Sequence, residues 1–157
     1  MAAIGTQAAK RAGVTYGSMM NILLVDDDWQ SLVSLGRFLS SEGHKVDGHQ
    51  DPLSALDACG KVTYDLLVSD YRLPDMDGLE LIQAVKGRQP RIKTILSSGL
   101  VSPTTLQQAR RQGVDKVLGK PIYIQELLAA IQSLALPLSG SGPASFWISG
   151  KSCDANP

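Results

Sequence analysis

Five times between Asn21 and Leu136 a short segment that reads as a strand, apolar at its centre in all but the second, gives way to a longer stretch whose apolar residues recur at helical spacing. Short continuous apolar runs mark strands buried on both faces, because a strand with one wet face alternates apolar with polar residues. Regular strand–helix alternation predicts an α/β fold: a parallel sheet covered on both faces and connected by right-handed crossovers. A closed barrel of eight such units needs roughly 250 residues. Five units between positions 21 and 136 therefore predict an open, doubly wound, five-stranded parallel sheet.

The first unit is Ile22-Leu23-Leu24-Val25, followed by a helix carrying Leu32, Leu35, Gly36 and Leu39 and stopped at Gly43. Lys45 to His49 is a weaker strand, and Asp51-Pro52 supplies a cap and first residue for a helix reaching about Gly60. Leu66 to Ser69 ends at Asp70, and an irregular loop marked by Pro74 and Gly78 leads to a helix over Leu79–Lys86. Thr94 to Ser97 precedes a helix opened by Ser102-Pro103 and ended by Gly113. Lys116 to Gly119 precedes Lys120-Pro121 and a last helix with Ile124, Leu127, Leu128 and Ile131 on one stripe.

Parallel sheets gather ligand chemistry at the carboxyl ends of their strands. Those ends carry Asp26 with Asp27, then Asp70, then Ser98, then Lys120. Three carboxylates, a hydroxyl and an ammonium in one crevice can hold a divalent cation together with a phosphoryl group. Asp28 reads as a helix N-cap. Capping is an incomplete account of Asp26 and Asp27, whose adjacent charges repel; a bound hard cation such as Mg²⁺, which selects oxygen ligands, would relieve that repulsion. Asp70 opens a loop rather than a helix, so it is either a turn residue or a functional one. Ser98, followed by Gly99, suits a turn as well as a phosphate contact. Pro121 holds the backbone of Lys120 extended.

Fifteen basic against 15 acidic residues give no support to a broad nucleic-acid or acidic-membrane surface. No apolar run approaches the roughly 18 to 20 residues of a membrane span. Cys59 and Cys153 have neither metal-ligand nor disulfide-framework spacing, which suits the reducing cytoplasm. Positions 1–20 lack a signal-peptide core and read as a disordered extension; positions 137–157, rich in Pro, Ser and Gly, read as a flexible tail. Phe146, Trp147 and Ile148 interrupt that tail and are candidates for docking on the domain or on a partner.

Four segments in order, Ile22 to Asp28, Asp65 to Gly78, Ser98-Gly99 and Lys120-Pro121, resemble the receiver domain of two-component response regulators. The resemblance spans positions 21–136 and implies a flavodoxin-like sheet with strand order 2-1-3-4-5. It implies that Asp70 is the phosphoacceptor and that Lys120 and Ser98 contact the phosphoryl group. Asp27 is then a direct Mg²⁺ ligand, Asp26 an acidic partner acting directly or through water, and the Arg72 carbonyl a further ligand. The implied donor is a sensor histidine kinase or a histidine phosphotransfer protein. The protein would catalyse its own aspartyl phosphorylation and dephosphorylation without being a conventional enzyme, with Arg72 and Leu100 flanking the site where water enters.

Three positions depart from the family pattern: Val117 stands where an aromatic switch residue is usual, Gly119 where a bulky apolar residue is, and Tyr123 where an acidic cap is. The face formed by the fourth helix, fifth strand and fifth helix is then expected to signal by backbone and loop shifts. It is also the candidate surface for a homodimer. Positions 137–157 are too short for a helix-turn-helix module, so the reading is a stand-alone receiver working by contact with a protein target or as a phosphate relay. Two alternatives remain: a pseudo-receiver that binds partners constitutively, and a phosphatase on a flavodoxin-like sheet using Asp70. The second wants another acid two residues on, where Arg72 stands.

Overall fold

The computed structural model describes residues 18–135 and 148–149. Strands β1 (Asn21–Val25), β2 (Lys45–His49), β3 (Leu66–Asp70), β4 (Lys93–Ser98) and β5 (Lys116–Gly119) alternate with helices α1 (Trp29–Ser41), α2 (Pro52–Cys59), α3 (Gly78–Arg88), α4 (Pro103–Arg111) and α5 (Ile124–Ala135). They form a parallel sheet in the order β2-β1-β3-β4-β5, as the resemblance implies. A two-residue strand, β6 (Ile148–Ser149), pairs in parallel with β5 and adds a sixth position to the sheet. The rest of the extension and tail, Phe146 and Trp147 included, lies outside the described residues.

Each face of the sheet carries its own core, because alternate residues of a strand point to opposite sides. Leu23, Val25, Leu67, Leu96 and Val117 pack with α2 and α3 residues such as Ala55, Ile82 and Val85. Ile22, Leu24, Leu66, Val68, Ile95 and Leu118 pack on the other face with Leu32 and Leu39 of α1 and Leu127 and Ile131 of α5. Burying a Leu- or Ile-sized side chain stabilises by about 1.5–3 kcal/mol, so the central strands β1, β3 and β4 are the rigid frame from which the loops leave. Met20, placed in the extension by the sequence reading, is buried in the second core, and its carbonyl accepts the Lys45 N–H at 2.9 Å.

The expected caps are present. Asp28, Asp51 and Ser102 accept N–H bonds at the starts of α1, α2 and α4, and Pro52 and Pro103 open α2 and α4. Asp77 forms a reciprocal capping box with Glu80 at the start of α3. At Asp51 the Ser54 N–H and hydroxyl donate at 2.9 and 2.8 Å, and these bonds hold the carboxyl below its ordinary pKa. The stabilisation is fully present above the ordinary carboxylate pKa and is lost as pH falls through the lowered folded value. Asp51→Ala should therefore cost about 1 kcal/mol in denaturant unfolding at neutral pH. That penalty should shrink in acid.

Candidate functional site

The loops after β1, β3, β4 and β5 leave the sheet at one end. After Val25 the backbone of Asp26 is fixed by its N–H bond to the His49 carbonyl at 3.1 Å. Asp26 is 3% exposed; its carboxylate accepts the Asp28 N–H at 2.9 Å and faces Lys120 Nζ at 3.3 Å. Asp27 is exposed, with its carbonyl held by Gln50 Nε2 at 3.2 Å. Asp28 turns away into its capping role, accepting from the Gln30 N–H and the Ser31 hydroxyl.

Asp70 is the last residue of β3 and is 6% exposed. Lys120 Nζ lies 2.9 Å from its Oδ2, and the Arg72 N–H approaches its Oδ1 at 3.4 Å. Gly78 permits this placement. A Cβ at that position would overlap the Asp70 carbonyl oxygen and come within 2.9 Å of Leu96 Cδ1. The chain after β3 thus returns over its own strand end, closed by the Gly78 N–H bond to the Tyr71 carbonyl at 2.7 Å.

Asp26, Asp27 and Asp70 each present a carboxylate oxygen, all within 4.8 Å of one another. Burial pushes the Asp26 carboxyl above its ordinary pKa, and the Asp70 charge adds to that against the opposing Asp28 N–H bond and Lys120. Burial alone would lower the Lys120 pKa, but its bond to Asp70 and the charges of Asp26 and Asp70 raise it instead. Lys120 is therefore a fixed cation at neutral pH. Three carboxylates against one ammonium leave two formal negative charges, and every free donor is a hard oxygen. That donor set suits a hard divalent cation.

Ser98 ends β4 and is buried, but its hydroxyl is engaged with its own loop: it donates to the Leu100 carbonyl at 2.9 Å and accepts the Leu100 N–H at 3.2 Å. Its carbonyl accepts the Lys120 N–H at 2.8 Å, which ties the β4 and β5 exits together. The Lys120–Pro121 peptide bond is cis. A cavity of about 320 Å³ opens beside Asp26 and Lys120, lined by Gln30, Ser31, Ser34 and Pro121. Val117 is fully buried in the core of the α2–α3 face, so a tyrosine there would have to displace packed atoms.

Sequence reasoning named the strand-end side chains but missed the backbone clamp from His49 and Gln50 and the close approach of Gly78. Backbone contacts between distant loops leave no periodic signal. Gly78 alone carried a hint, as a glycine just inside a helix start.

Residues 22–132 match the family model described as the response regulator receiver domain. The response regulator MprA of Mycobacterium tuberculosis is 33% identical over 115 residues, covering 73% of this chain and 50% of that protein. The chain thus spans about half the length of this relative. A CheY-like receiver domain protein from Methanospirillum hungatei superposes with a TM-score of 0.71 at 30% identity, covering 75% of this chain and 94% of that one. A Burkholderia pseudomallei response regulator, solved with a phosphorylated aspartic acid, calcium ion and citrate, gives 0.68 at 30% identity over 73% of this chain and 68% of its own. With a family match across most of its length and receiver domains as its structural neighbours, the chain belongs to the response regulator receiver family.

Proposed function

We propose that this receiver takes a phosphoryl group onto Asp70 from a phosphohistidine of a sensor kinase or phosphotransfer protein. The observation that carries the reading is a buried strand-end carboxylate held 2.9 Å from a lysine, with two further carboxylates close enough to share a cation. A carboxylate oxygen of Asp70 attacks phosphorus, the P–N bond breaks, and the electron pair leaves with the imidazole nitrogen. Asp26, Asp27, Asp70 and the Arg72 carbonyl would hold Mg²⁺. When bound, that ion neutralises charge on the transferring phosphoryl oxygens. Lys120 already lies on the Asp70 oxygen it would share with the phosphoryl group, so little reorganisation is needed.

In this reading Ser98 must exchange its Leu100 bonds for the phosphoryl oxygen, so phosphorylation moves the loop after β4. The signal passes to a protein partner, in keeping with balanced charge, and the protein works in the cytoplasm. No described helix is long and apolar enough to cross a membrane.

Incubation with Mg²⁺ and a small acyl phosphodonor tests the proposal. The protein should gain a single acid-labile phosphoryl group, and a chelator should prevent it. Steady turnover of an unrelated phosphate ester would instead indicate a phosphatase, and absence of uptake with every donor would indicate a constitutive binding module. Lys120→Met should slow uptake by about 100-fold or more, the usual cost of removing one preorganised charge partner, measured as the rate of mass gain.

A further inference from the structure

We propose that the outer edge of β5 is a strand-accepting surface whose resident occupant is the chain's own Ile148–Ser149, and that this pairing closes the edge against a second copy. The two edges of the β2-β1-β3-β4-β5 sheet differ in kind. The β2 edge carries Lys45, Asp47 and His49, and such charged side chains guard an open edge against pairing with another chain. By contrast, β5 has the character of an interior strand: Val117 and Leu118 are fully buried and Lys116 is 8% exposed. The backbone groups of β5 that face away from β4 need a partner of another kind.

β6 supplies that partner, with Val117 opposite Ile148 and Leu118 opposite Ser149 in parallel register. It follows β5 and α5 in the chain, so the strand–helix–strand rhythm of the fold continues one step further. A two-residue ladder is weak and would not hold a free peptide. Tethering to α5 through positions 136–147 raises its effective concentration to about the millimolar range, well above that of a second copy at micromolar protein. The pairing is therefore intramolecular, and a homodimer across β5 requires its release. The inference concerns backbone pairing and stands apart from the phosphorylation reading.

In a parallel ladder alternate residues turn both backbone groups to the same neighbour, so one of Ile148 and Ser149 supplies the N–H to β5. The double variant Ile148→Pro, Ser149→Pro in the 157-residue chain removes whichever donor is used. Amide exchange within Lys116–Gly119 should rise about tenfold while β1 and β3 stay unchanged, as expected for a local opening. Sedimentation should show self-association of the variant that the wild type lacks. Unchanged exchange in β5, or wild-type protection that grows with protein concentration, would overturn the intramolecular pairing, and a monomeric variant would overturn the guarding role. Should the variant lose protection throughout the sheet, the wild type decides by NMR: one of the two amides exchanging about tenfold slower than a free peptide supports the proposal. Both at the free-peptide rate would overturn it.

Discussion

Gly78→Ala should destabilise the domain by about 3 kcal/mol in denaturant unfolding, because overpacking against a rigid neighbour costs this much at the upper end. The neighbour here is the carbonyl of Asp70, a backbone atom of a central strand whose five residues are all buried. It cannot rotate aside as a side chain would. Relief has to come from lifting the start of α3, which also strains the capping box of Asp77 and Glu80 and the Gly78–Tyr71 bond. Gly87 in the same helix is the internal control. A Cβ there meets nothing within 4 Å, so Gly87→Ala should stabilise by about 0.5–1 kcal/mol through helix propensity. Equal effects from the two substitutions would show that helix propensity, and not the approach to Asp70, governs Gly78.

Asp70→Asn should abolish phosphoryl uptake while leaving the fold intact. The amide keeps the shape of the carboxylate and removes the anionic oxygen that, in the proposed reaction, attacks phosphorus. Two electrostatic changes oppose each other in the variant. Lys120 loses its 2.9 Å partner, and the Asp26 carboxyl loses the neighbouring charge that helps to raise its pKa. Stability should consequently move by no more than about 1 kcal/mol, far less than the 3–5 kcal/mol for breaking a fully buried pair. Thermal melts with and without Mg²⁺ check the companion expectation: the stabilisation given by the ion shrinks in the variant. Undiminished uptake by Asp70→Asn would mean that another group is the acceptor.

How much of this was legible depends on what leaves a local trace. Strands β1 and β3 carry unbroken apolar runs because they are buried on both faces, while β4 shows only Ile95 and Leu96 between the equally buried Thr94 and Ser97; the order of connection follows from the helices between them. The strand-end residues were legible for the same reason: a polar residue after such a run has to sit at the sheet's rim. Asp77 was not recognised as a cap because Pro74 and Gly78 make its surroundings read as an irregular loop, and the box with Glu80 exists only once the helix forms. The direction of the Ser98 hydroxyl is decided by the Leu100 backbone, a choice between two local bonds that residue type does not encode. β6 was the hardest. Ile148 stands out with Phe146 and Trp147 as a docking candidate, but so short an apolar patch carries no periodicity, and the strand character of Ile148–Ser149 comes from the open edge of β5.

The central claim is that the Asp70 carboxylate becomes an acyl phosphate, and reductive mapping reads that bond directly. Borohydride converts an aspartyl phosphate to homoserine, leaving a permanent mark on the residue that carried the group. After Mg²⁺-dependent phosphorylation, peptide sequencing by mass spectrometry should find homoserine at Asp70 and at neither Asp26 nor Asp27. Homoserine at one of those two, or phosphoryl uptake with no reducible aspartate at all, would contradict the account.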